Sequence, residues 1–171
     1  MKKLKSTPAT LKVLIRDMKS LYAGTPWYGD SMRKILLDVH PAQVFHRPIP
    51  EAHCIAELTA HILAWRELLN RRLHGDEDFV VKQKESFDWT RIDPDPSTAW
   101  TSLLNALEAN QQQIISALEI ADDSLLHTKV KGRNYTFLHL IKGVMQHDTY
   151  HIGQIALLKK SLPNLSAHKS S

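Results

Sequence analysis

Four stretches of this chain place their apolar residues three and four apart, the pattern of helices that each bury one face. The clearest spans residues 97–119, where Trp100, Leu103, Leu104, Leu107, Ile114, Ile115 and Leu118 share a stripe behind a cap region at Ser97. The earliest, "ATLKVLIRDMKSLY", carries Leu11, Leu14, Ile15, Met18 and Leu21, and its opening is expected near Thr7-Pro8, a threonine cap followed by proline. "GTP" at 24–26 interrupts it, and "WYGDSMRKILLDV" resumes through Met32, Ile35, Leu36 and Val39, as one kinked helix or as two pieces. A second helix is expected from about His53 to Leu73, and a last one from a Thr136 cap to about Ser161, ahead of Pro163. Between them, three prolines hold "HPAQVFHRPIPEAH" extended, and "HTKVKGRNYT" suits a short hairpin around Lys131-Gly132. Residues 75–95 read as a long irregular crossover closed by "DPDPS". The pattern predicts one all-α domain over 1–171, a four-helix bundle with a long crossover between helices two and three, and a frayed tail from about 162.

Composition narrows the setting. A chain of 171 residues with 43% hydrophobic and 23% charged residues can bury a sizeable core without staples. Its single cysteine, Cys54, excludes an internal disulfide framework and fits a reducing cytoplasm, the compartment expected here. No 18-residue apolar span is present, so no membrane crossing is expected, and "MKKLKSTPATLKVLIRDMK" lacks the continuous apolar core of a secretory signal. The net charge of +4 and pI near 9.2 raise the question of nucleic acid. Lysines and arginines are scattered, "MKKLK" and "LLKK" supply part of the excess, and no basic stripe interleaves with aromatics. A mildly basic solvated surface is the reading of this pattern, with nucleic acid not expected as a partner.

The chemistry lies in "GVMQHDTYHIGQIALLKK", residues 143–160. His147 and His151 are four apart, one helical turn, on the face that also carries Leu140, Val144, Ile155 and Leu158. Buried imidazoles need partners for both ring nitrogens, and a divalent metal chelated by the pair satisfies two at once. His61 is the candidate third ligand, since it lies on the apolar line of Cys54, Leu58, Trp65 and Leu68 in the second helix. Three ligands would leave coordination positions open for water or substrate. The plainer reading is a histidine pair satisfied at the surface or in the core without metal. His53 suits a cap or pocket rim, and His40, His46, His74, His127, His139 and His168 suit loops, surface or tail. Cys54 suits a small core residue. Gly143 and Gly153 cost helix stability, and close approach of a neighbouring element would explain them.

The segments "ELTAHILAWRELLNRRLHG" and "GVMQHDTYHIGQIALLKK", with "TPWYGDSMRKIL" and "HCIAELTAHILAW", resemble the DinB-like family of small metal-binding four-helix bundles over roughly residues 10–160. The resemblance implies an up-down-down-up helix order, one divalent metal (zinc or nickel) on His61, His147 and His151, and a homodimer. It also implies a small-molecule substrate. Some relatives transfer low-molecular-weight thiols to electrophiles and others are described as metal-dependent hydrolases. Thiol transfer is the leading expectation; hydrolysis by metal-bound hydroxide and a non-catalytic, metal-stabilised binding protein are the alternatives. Asp148 is the candidate catalytic base, its order after His147 echoing H-E-x-x-H, or else it makes an interhelical or ligand-orienting hydrogen bond. Glu57, one turn before His61, is a candidate to orient that ligand.

Overall fold

The computed structural model describes residues 10–79, 81 and 96–162. Five helices follow in order: α1 (Leu11–Ala23), α2 (Met32–Leu37), α3 (Ile55–Leu73), α4 (Pro96–Ile120) and α5 (Phe137–Ser161), with short 3-10 turns at Pro41–Gln43 and Asp123–His127. Among the described residues the sole β feature is an isolated antiparallel bridge between Lys129 and Thr136. The expected hairpin is reduced to that bridge, with Gly132 at a φ of 71° in the turn.

Local chemistry sets the helix ends. Thr10, rather than Thr7, caps α1, its hydroxyl accepting from Val13 N at 3.4 Å; Thr7 lies outside the described residues. Asp123 adds a tie from 112 residues along the chain, Oδ1 accepting from Leu11 N at 2.8 Å. The stretch after α1 is two pieces and not one kinked helix. Gly24 folds its N–H back to Ser20 O at 3.0 Å, so tightly that a Cβ there would meet Ser20 Cα at 2.8 Å. Helix α3 starts from Cys54, where Glu57 accepts from the Cys54 backbone N–H at 3.0 Å. Thr136 caps α5 as expected, accepting from His139 N at 3.5 Å.

Side-chain pairs fix the directions. Glu67 with Asn110 and Asn70 with Gln113 advance together, so α3 and α4 run parallel. Lys19 pairs with Glu119 while Tyr22 reaches back to Glu108, so α1 and α4 are antiparallel. Ile55, Leu58 and Ile62 share one core cluster with Ile155 and Leu158, while Leu68 and Leu69 share the other with Leu140 and Ile141, so α5 runs opposite to α3. Leu11 and Leu14 share a core cluster with Phe137 and Leu140, while Leu21 and Ile152 share the other, so α1 and α5 run together. This is the up-down-down-up order, and two parallel neighbours in sequence need the long link between α3 and α4. Most of that link, and the tail from 163, lies outside the described residues.

The core is divided. One apolar cluster gathers α2, the start of α3 and the end of α5 around Met32, Ile62, Leu107 and Ile155. The other gathers Leu14, Met18, Leu69, Ile114 and Ile141 at the opposite end. Between them the interior turns polar, with Arg66, Gln111, Asp148, His61 and His151 all buried. The histidines therefore sit where the bundle changes from one apolar plug to the next.

Candidate metal centre

His61 on α3 and His147 and His151 on α5 converge. One ring nitrogen from each lies within 4.8 Å of the others, and His61 Nε2 is 3.0 Å from His147 Nε2. Ring centroids are 4.8 Å apart for His61–His147, 4.7 Å for His61–His151 and 4.4 Å for His147–His151. Zinc–imidazole bonds of ~2.0–2.1 Å in tetrahedral geometry put ligand nitrogens about 3.3 Å apart, so small side-chain adjustments bring this set to a common ion. Helix geometry explains the convergence: α5 presents two rings one turn apart, and the antiparallel α3 lays the third between them.

The donor set fits a divalent transition metal. His61 and His151 are buried, at 6% and 7% exposure. His151 Nδ1 lies 2.6 Å from the amide oxygen of Gln154, which can only accept, so Nδ1 carries the proton and Nε2 keeps its lone pair for the cluster. The Gln154 amide N–H in turn donates to Tyr150 Oη at 3.3 Å. Desolvation, then the neighbouring His151 and His61, hold the His147 imidazole down to about 3, so it is neutral across the physiological range. His147 Nδ1 is buried with no partner. Neutral imidazoles with facing lone pairs, one of them half-satisfied, are better accommodated around a cation than against each other.

A pH dependence follows for the metal-free protein. With its folded pKa depressed below the unfolded value near 6.5, His147 favours the fold fully above that pH, and the contribution is lost as pH falls towards 3. Asp148, pushed up to about 6 by burial against the pull of Arg66, acts in the opposite sense between pH 6 and about 4. The smaller shift offsets only part of the larger one. Thermal melts of metal-free protein between pH 7 and 4.5 are expected to show a falling Tm, with a shallower fall in His147→Gln. Equal slopes would contradict the assignment.

Asp148 does not join the cluster. One residue beyond His147 is a turn of about 100° around the helix, which aims its carboxylate at α3, where Oδ2 accepts from Arg66 Nη1 at 2.6 Å. Both side chains are fully buried, and Arg66 also reaches Gln111 and lies over the Tyr22 ring at 5.5 Å from its centroid. Of the two roles the sequence left open for Asp148, the geometry supplies the interhelical hydrogen bond, with the carboxylate enclosed away from solvent. Glu57 is reassigned. Its carboxylate takes the Cys54 N–H, His53 Nδ1 at 3.3 Å and Arg47, and it organises the start of α3 instead of orienting His61. Cys54 is buried in that cap, and burial pushes its thiol up, away from thiolate.

A feature absent from the sequence reading lies beside His147. Trp65, Tyr135, His139, Gly143 and Val144 line a cleft of 280 Å³ that His147 closes at one end. The sequence carried the signal: His139, Gly143, His147 and His151 recur every four residues along one side of α5, and Tyr135 precedes its cap by one residue. Close approach does not explain the glycines, since a Cβ added to Gly143 or Gly153 would meet nothing within 4 Å.

Fold and site together define an all-α bundle with an interior three-histidine cluster, open on one side to an apolar cleft. A family model for the DinB superfamily matches residues 29–155, and the chain belongs to that superfamily. Among solved structures, the colibactin self-resistance protein ClbS in complex with a dsDNA matches with a TM-score of 0.65 and 20% identity, over 92% of this chain and 100% of that one. No curated protein matches significantly. The ClbS complex corrects the expectation that nucleic acid is not a partner. Phosphate contacts need only lysines and arginines on a suitable surface, so scattered charge and a missing signature motif give no ground for exclusion. No helix among the described residues is long and apolar enough to cross a membrane.

Proposed function

We propose that the chain binds one divalent transition metal, zinc or nickel, through His61, His147 and His151, and uses it to transfer a low-molecular-weight thiol to a small electrophile. The observation that carries the reading is the convergence of three imidazole nitrogens within 4.8 Å, with no carboxylate or thiol in the set. Imidazole donors suit zinc and nickel alike. Three of them leave room for an exogenous ligand, as an open centre requires.

A metal bound there would supply Lewis acidity and favour the deprotonated form of a coordinated thiol or water. The chain's own residues do the rest. Gln154 fixes the His151 tautomer, the Arg66–Asp148 bond fixes the rotation of α5 against α3, and the cleft beside His147 gives a small molecule access to one side of the centre. In the transfer, the thiol proton passes to solvent, sulfur bonds to the electrophilic carbon, and the displaced electron pair leaves with its group or is protonated. Thiol transfer is preferred over hydrolysis because Asp148, the base that hydrolysis would have called on, is committed to Arg66. Double-stranded DNA stands as a further candidate partner on the strength of the ClbS complex.

The test is catalytic. Zinc- or nickel-loaded protein is incubated with monochlorobimane and a panel of thiols, including bacillithiol, mycothiol and glutathione. Conjugation is expected to accelerate more than tenfold over the metal-free protein with at least one thiol. No metal-dependent acceleration with any of them would overturn the transferase reading.

A further inference from the structure

We infer that the cleft beside His147 is a recognition site for a flat aromatic group, and that Gly143 is the residue that admits it. The inference rests on the metal-centre reading only for its orientation, since it makes the group part of a molecule whose polar head reaches the three histidines.

Glycine weakens a helix relative to alanine, and neither usual reason for keeping it applies at Gly143. Its φ is not in the left-handed region, and no neighbour comes within 4 Å of where a Cβ would stand. What the missing side chain leaves is space. His139 and His147 lie one turn to either side of Gly143, about 12 Å apart along the axis, and the cleft occupies that interval.

The lining then selects the occupant. Trp65 and His147 line it as one pair, with ring centroids 5.5 Å apart and planes at 47°. Tyr135 and His139 line it as a second pair, with centroids 5.3 Å apart and planes at 34°. Paired aromatic faces at such spacings favour a planar guest that meets them edge or face on, more than a flexible chain. A closed apolar cavity of about 150 Å³ accepts benzene, so 280 Å³ takes a substituted ring or a fused bicycle. Tyr135 and His139 carry polar edges, and His139 is exposed at the rim, so a polar substituent on the outer side of the ring can be met there. The opposite end of the cleft is His147 itself, which places the ring next to the cluster.

Gly143→Leu tests this without threatening the fold, because leucine is a better helix former and its Cβ meets no neighbour. In the metal-free protein, phenol titrated against wild type is expected to give saturable NMR shifts at the Gly143 amide and the Trp65 indole N–H. In Gly143→Leu the Trp65 shift is expected to vanish. In zinc-loaded protein, benzohydroxamate is expected to bind about tenfold tighter than acetohydroxamate, a preference that Gly143→Leu abolishes while acetohydroxamate affinity is unchanged. Persistence of the phenol shift or of the ring preference in Gly143→Leu, or no saturation in wild type, overturns the recognition site. Failure of both hydroxamates to bind zinc-loaded wild type while phenol binds would overturn the open metal centre and leave the aromatic site standing.

Discussion

Arg66→Ala is expected to lower folding stability by about 3–5 kcal/mol. The guanidinium is wholly buried and donates to Asp148 and Gln111. Its removal strands a carboxylate that is itself fully buried and whose other oxygen, Oδ1, already has no partner. An unpaired charge in that position costs far more than the pair contributes, because the attraction in the folded state chiefly offsets desolvation. The double variant Arg66→Met with Asp148→Leu should therefore recover most of the loss. Its metal affinity should stay below wild type, since a directional bond between α3 and α5 has been exchanged for packing without direction. Urea denaturation reads the first effect and metal titration the second. A loss under 1 kcal/mol for Arg66→Ala would mean that water enters the interior there, and the bond would lose its claim to set the histidines.

That ion pair also marks the limit of what the sequence disclosed. The faces of α4 and α5 were legible because burial there follows a period of 3.6, and Trp100, Leu107, Ile114 and Leu118 are all buried as the stripe requires. His61 was legible for the same reason, as a polar residue on an apolar line. Arg66 was not. In "LAWRELLNRRL" it looks like one of several solvated arginines, and its burial depends on Asp148, a partner 82 residues away. Glu57 was misplaced because one turn before a histidine is also the third residue after a helix cap. With cysteine in the position usually held by serine or threonine, the cap went unrecognised. The crowding at Gly24 and the open space at Gly143 are properties of the neighbours, which no local pattern records.

Alanine at His147 or His151 is expected to reduce bound zinc or nickel from about one equivalent to background, and alanine at His61 to well below one equivalent, measured by elemental analysis on protein whose helical circular dichroism is intact. Each imidazole is one of three donors and there is no carboxylate or thiol in the set to replace it. The positions should nevertheless differ in a diagnostic way. His147 and His151 are on one helix and can still chelate as a one-turn pair when His61 is lost, so His61→Ala should retain weak, readily stripped metal. Loss of either α5 histidine leaves two donors on separate helices, and affinity should fall further. Gln154→Leu should weaken binding by about 10–100-fold while keeping stoichiometry, because it frees the His151 ring without removing it. Metal also links to stability: at a free concentration about 100 times its Kd it adds ~2.7 kcal/mol to wild type, an increment the alanine variants should lack. Undiminished stoichiometric metal in His61→Ala would confine the site to α5. The meeting of α3 and α5 at the polar band would then be a matter of packing alone, and the reading of an open three-ligand centre would go with it.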